Sequence, residues 1–294
     1  MKSRNFAVLL SLFVLFRIGS RQAATANLGG SAWQAATLST PVQPGSKTTY
    51  LDLLKQLLPG VQSDATAHKT IPFRNIFTPT KAEAIEGNIT VDFKPYWFNS
   101  EGRKLLLLWV NLAADEANEG TPYAGEAVIL AAFRLEPTVK LLDALDVKTD
   151  RFTGSWKDRA LFPLNPQNDA FIIYSTHWNA GESYLSLDML FVDGGRFKNI
   201  ASQFIFETEG CGANFSETPS FQSVPDPGNK YPKVLVKVKL TKKPDEDSCD
   251  HPTRGYTRYY QGLYRWNSAK KQYEGNSRQL ATLDKFNEKR VSSP

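Results

Sequence analysis

From Ile71 onward the chain is written in alternation. Ile89, Val91 and Phe93 are separated by Thr90, Asp92 and Lys94, the period of two that gives a strand one apolar and one polar face. Asn99-Ser-Glu-Gly102 reads as a turn, and Lys104-Leu-Leu-Leu-Leu-Trp-Val-Asn111 returns from it apolar on both faces, as in a sheet interior. Gly125 to Arg134 is strand-like despite its alanines, and Leu141 to Val147 fits a helix turn or a strand, the turn at Lys148-Thr-Asp150 favouring the strand. The densest aromatic and β-branched run, Phe171 to Val192, predicts a hairpin folded around Asn179-Ala-Gly-Glu182. Asp193-Gly-Gly195 then predicts a tight turn, and Phe197 to Thr208, with Phe204 and Phe206 on one face, completes a meander.

Further along, Val234, Val236, Val238 and Leu240 alternate with Lys237 and Lys239, which predicts a strand with one wet face or edge. Tyr264-Arg-Trp266 and Gln272-Tyr-Glu274 flank a turn at Asn267 to Lys271. That spacing resembles the closing hairpin of exported bacterial β-proteins, propeller-like ones among them, and implies no function. Residues 65–70 read as a loop, as does the proline-spotted stretch from Cys211 to Lys230. Helical spacing occurs twice. Thr49-Tyr-Leu-Asp52 fits a capped helix start with Leu51, Leu54 and Leu58 on one face and Pro59-Gly60 as the stop. Leu280, Leu283 and Phe286 are compatible with a helix over Arg278 to Lys289. The expected fold class is therefore mainly β: antiparallel sheets in a sandwich or propeller-like stack, with a short N-terminal helix and room for a C-terminal one.

The first residues follow a different rule. Met1-Lys-Ser-Arg-Asn is basic, Phe6 to Phe16 is an apolar run of eleven residues, and Ala24-Thr-Ala26 has the small-x-small form that a signal peptidase accepts. Crossing a bilayer takes about 20 apolar residues, so residues 1–26 predict a signal peptide and no lasting membrane span. Residues 27–47, small and polar with prolines, read as a flexible leader. Residues 48–294 then form one mainly-β domain, with a subdivision point near 113–123.

Composition matters mainly through what the signal segment removes. The whole chain has 35 Lys+Arg against 30 Asp+Glu, but Lys2, Arg4, Arg17 and Arg21 belong to the signal segment 1–26, which has no acid. The remainder carries 31 against 30, so no basic field is left for nucleic acid. Cys211 and Cys249 are the only cysteines, and in an exported chain they predict one disulfide. Closing that loop removes roughly 3–4 kcal/mol of unfolded-chain entropy. If the strands before the two cysteines were antiparallel neighbours, their ends would lie at opposite edges. The bond would then require an intervening segment to cross back.

Catalytic chemistry is weakly marked. There is no Gly-x-Ser-x-Gly elbow, and Ser175, His177 and Asp188 are near one another only along the chain. Glu182, Asp188, Asp143 and Asp146 could supply a carboxylate pair, but nothing selects one. Asp143, Asp146 and Asp150 lack the oxygen spacing and mid-loop glycine of a calcium loop. His68, His177 and His251 are scattered, so neither a metal nor another cofactor is implied. The more specific signal is aromatic. His177, Trp178, Glu182 and Tyr184 flank the central turn, a mixture suited to binding a glycan or a protein partner; the plainer expectation is cross-strand packing of Trp178 with Tyr184. The expected role is a non-enzymatic binding or interaction module of the bacterial envelope, periplasmic or extracellular, with an envelope protein or glycan as partner. The alternative is an envelope hydrolase with its site near the 177–188 hairpin.

Overall fold

In the computed structural model, residues 37–75, 84–114, 126–148, 152–155, 160–179, 182–211, 214–244 and 253–291 are described. The signal segment, the subdivision point at 115–123, Asp150, Cys249 and His251 lie outside them. Among the described residues the fold is mainly β, with two sheets and two helices.

The first sheet is built from β1 (Thr66–Lys69), β2 (Arg74–Asn75), β3 (Glu86–Ser100), β4 (Arg103–Ala114), β5 (Glu126–Arg134) and β6 (Lys140–Asp146). Its order is β1-β3-β4-β5-β6-β2, antiparallel except for the β2–β6 pair. As the pattern required, β4 is buried on both faces. Leu106, Leu108 and Val110 pack on one side against Leu53, Leu54, Leu57 and Leu58 of the N-terminal segment, in and after α1 (Tyr50–Leu54). Leu105, Leu107 and Trp109 face the second sheet. Thr49 and Asp52 form the reciprocal cap that their spacing predicts. The packed chain begins earlier than its composition suggests, because Leu38 and Val42, inside the stretch read as a leader, are buried in this same core. Two apolar side chains in a polar stretch suffice to hold it down, each contributing about 1.5–3 kcal/mol.

The second sheet contains β7 (Phe152–Ser155), β8 (Leu161–Asn165), β9 (Asn168–Asn179), β10 (Glu182–Asp193), β11 (Arg196–Thr208), β12 (Phe215–Val224), β13 (Lys233–Lys242), β14 (Tyr256–Asn267) and β15 (Gln272–Asn276). The central meander β9-β10-β11 forms as read. Gly194 and Gly195 supply the two positive φ values, 57° and 75°, of its tight second turn. Phe171, Ile173, Leu190 and Val192 meet the first sheet, while Ile172, Leu187 and Met189 face the other way. There the sheet curls over a core shared with Val234, Val236, Val238, Leu240, Trp266 and Tyr273. Helix α2 (Arg278–Val291) adds Leu280 and Leu283 to it.

Two segments read as loops are strands. Residues 66–69 form β1, a short edge that pairs Thr66 with Thr90 and Ala67 with Ile89. Half of the supposed Cys211–Lys230 loop is β12, paired along its length with β13 from Phe215↔Lys242 to Val224↔Lys233. Its inward face reads Phe215, Glu217, Pro219, Phe221, so a buried acid and a proline hide the alternation. Proline is tolerated on a strand with a free edge, and β12 has one.

Candidate functional site

The strands β9 and β10 carry the residues that the sequence singles out, and alternation divides them between two faces. Tyr184 pairs with His177, and Ser183 with Trp178. Opposed residues of a ladder share a face. His177, Glu182 and Tyr184 therefore lie on one side, and Trp178 lies on the other with Thr176 and Ser183.

On the first side aromatic rings pack together. Tyr184 stands 5.0 Å from Phe206, 6.0 Å from Phe204 and 6.1 Å from His177, centroid to centroid. Its hydroxyl donates to Glu182 Oε2, and burial together with that carboxylate pushes the phenol up to about 12. Cross-strand packing thus occurs, but with His177 and Phe206 in the place anticipated for Trp178. Trp178 itself is 71% exposed.

Beside Trp178, on its own face, opens a cleft of about 450 Å³ into which Thr176 and Ser183 project. It lies where β11 and β12 part company, for these strands pair only at Thr208↔Phe215. Leu185, Ile205 and Pro219 give it apolar walls, and Thr218 and Tyr174 bring the hydroxyl-bearing side chains to four. Two carboxyl groups, Glu207 and Glu217, complete the lining.

Glu217 accounts for the parting. The next rung of the ladder would set Glu217 opposite Phe206. Instead, the Glu217 side chain accepts the Phe206 backbone N–H on Oε2 at 3.1 Å, taking the bond a backbone carbonyl would otherwise receive. Helix α2 holds the carboxylate there. Asn287 donates to Oε2 at 3.2 Å, and Arg290 Nη2 donates to Oε1 at 2.8 Å. The Arg290 guanidinium lies over three rings, Phe215 at 4.5 Å, Phe286 at 4.7 Å and Phe206 at 4.8 Å. Burial raises the Glu217 carboxyl to about 7, against the Phe206 N–H, Arg290 and Asn287, which all favour its charged form. Sequence reasoning passed over Glu217 because its segment read as a loop and its partners on α2 are about seventy residues away.

The other acids fall into structural roles. Ser175 shares a face with His177, but its hydroxyl is 2.9 Å from the Thr153 hydroxyl. Asp188 accepts from the Ser202 hydroxyl at 2.5 Å. It lies four residues along β10 from the partner of His177, about 13 Å at strand rise, so Ser175, His177 and Asp188 form no triad. Asp143 binds Arg74 at 2.7 Å and the Phe197 N–H at 2.9 Å. Asp146, raised by burial, accepts the Lys148 N–H. Cys211 sits exposed just past β11. Because β12 intervenes, β11 and β13 run in the same direction and end at one edge, where Phe215 pairs with both Thr208 and Lys242. Strand β12 carries the chain from that edge to the opposite one, from which β13 returns. Among the described residues, no three His, Cys, Asp or Glu side chains cluster as metal ligands, and no helix is long and apolar enough to cross a membrane. No family model matches the chain, and no curated protein is significantly similar to it.

Proposed function

We propose that the protein is a non-enzymatic binding module, exported to the periplasm or the exterior of a bacterial cell, that holds an envelope protein or glycan at the cleft beside Trp178. The observation that carries this reading is an exposed indole, the ladder partner of Ser183, on the same sheet face as a formed cleft that Ser183 lines and whose lining mixes apolar walls with hydroxyls. Flat aromatic surface next to hydroxyl groups suits sugar rings and extended peptides alike. Export rests on the signal-like residues 1–26 and on the cysteine pair, which we expect to be joined as a Cys211–Cys249 disulfide.

The test is capture. Residues 27–294, immobilised, are exposed to envelope extract, and the eluate is read by mass spectrometry and glycan analysis. One species should be retained near stoichiometric amount by the wild type and at least tenfold less by Trp178→Ala, while Tyr184→Phe retains it. Equal retention by Trp178→Ala would move the site elsewhere. The competing reading, an envelope hydrolase, draws on Glu217, raised to about 7, and Glu207 in one cleft. Both oxygens of Glu217 are already occupied by donors, which suits a clamp better than a proton shuttle. Turnover on an envelope polysaccharide that disappears in Glu207→Gln, an exposed position, with the melting temperature kept, would favour the hydrolase.

A further inference from the structure

At the opposite end of β9 from the cleft, where β3 turns into β4 and β5 ends, cationic side chains gather without counter-ions. Arg103, Lys104 and Arg134 line a cavity of about 400 Å³ together with Trp97, Gln43 and one carboxylate, Glu136. A second concavity shares Arg103, Arg134 and Glu136 and extends over Pro137. Three cations against one carboxylate leave a net charge of +2 on the lining. By contrast, Arg265 and Lys233 bind Asp226, and Lys230 bridges Glu101 and Asp193. None of Arg103, Lys104 and Arg134 has an ion-pair partner among the described residues. Arg134 goes further, for its Nε is buried and has no hydrogen-bond partner. A buried guanidinium N–H left unmatched is unfavourable, and an anion reaching it removes the penalty. Lys104 Nζ lies 5.1 Å from the Trp97 ring centre, which leaves its three donors directed by an aromatic face and by no carboxylate.

We propose that this cavity binds a phosphate monoester dianion. The charge of such a group matches the net +2 of the lining. Two guanidinium forks and an ammonium suit a tetrahedral oxyanion with several acceptor oxygens better than a single carboxylate. The half-buried Trp97 and Gln43 give a neutral wall for whatever carries the phosphate. The site is separate from the cleft beside Trp178 and stands or falls without it.

The experiment is calorimetric titration of residues 27–294 at pH 7.5 with inorganic phosphate, glucose 6-phosphate and glucose. A parallel arm measures co-sedimentation with phosphatidylcholine vesicles with and without phosphatidic acid. Expected is binding of at least one phosphate-bearing probe and not of glucose, weakened by added salt and about tenfold weaker in Arg134→Gln and in Arg103→Gln. Inorganic phosphate binding as tightly as the ester makes the free ion the ligand. Preference for glucose 6-phosphate points to a soluble ester, and sedimentation only with phosphatidic acid points to a lipid headgroup. Arg103 is exposed, so its substitution leaves folding intact and keeps the test valid even if Arg134→Gln lowers stability. Absence of binding in every arm, or binding unchanged by both substitutions, overturns the proposal.

Discussion

At the scale of single residues, Glu217 connects chemistry to shape most directly. Its carboxylate replaces one rung of a β-ladder, and the cleft exists because that rung is missing. Burial raises it from the ordinary 4.5 to about 7, so the folded protein holds this proton more tightly than the unfolded chain does. Between those two values the native state binds more protons, and stability falls as pH rises. The contribution of Glu217 is therefore greatest below about 4.5 and declines through about 7, then levels off. Its total is on the order of 3 kcal/mol. Glu217→Gln removes the titration and also leaves Arg290 without its counter-charge, so the variant should be less stable throughout. Its melting temperature should nevertheless fall less steeply than the wild type's between pH 5 and 7. Parallel pH profiles for the two proteins would mean that Glu217 is ionised across the whole range.

Between elements, α2 is the piece whose fit can be tested most sharply. A Cβ placed on Gly262 of β14 would come within 2.6 Å of Leu280 Cδ1, so the helix rests on bare backbone there. Gly262→Ala should cost about 1–3 kcal/mol by overpacking, and Leu280→Ala about 2–5 kcal/mol by leaving a cavity. Because the added methyl enters the space the leucine vacates, the double variant should be more stable than the sum of the two losses, as denaturant titration of all four proteins would show. Strict additivity would place α2 away from Gly262. The same comparison explains what the sequence could reveal. Helix α2 was legible through Leu280, Leu283 and Phe286, and β13 through its four buried aliphatic residues, because apolar residues set the period in both even though Asn287 and Lys242 are also buried there. Strand β12 was not, since its inward face includes Glu217, acceptable there only because Asn287 and Arg290 meet it from a distant element. Trp178 stands out in the sequence as an aromatic residue beside the central turn. Its separation from Tyr184 by the pleat follows from register, which depends on where the turn falls.

Across the whole molecule, the decisive question is whether the two sheets unfold together. Their shared core is continuous: Leu105, Leu107, Trp109 and Leu130 of the first sheet meet Phe171, Ile173, Leu190 and Val192 of the second. Asp143 pins the same contact with charge. It lies on β6, binds Arg74 of β2, stands 3.7 Å from Arg196, and accepts the Phe197 N–H of β11. Asp143→Ala should remove about 1.5–3 kcal/mol, the scale of hydrogen bonds to a charged group. It should not reach the larger penalty of a stranded buried ion, because the side chains of Arg74 and Arg196 remain 41% and 67% exposed. If the shared core makes one cooperative unit, hydrogen exchange should show protection falling by the same free energy in β3, β4, β13 and β14, although none of these strands pairs with β6, which carries Asp143. Loss confined to β2, β6 and the start of β11 would show that the sheets open separately. The cleft beside Trp178, built wholly within the second sheet, would then be able to persist while the first sheet unfolds.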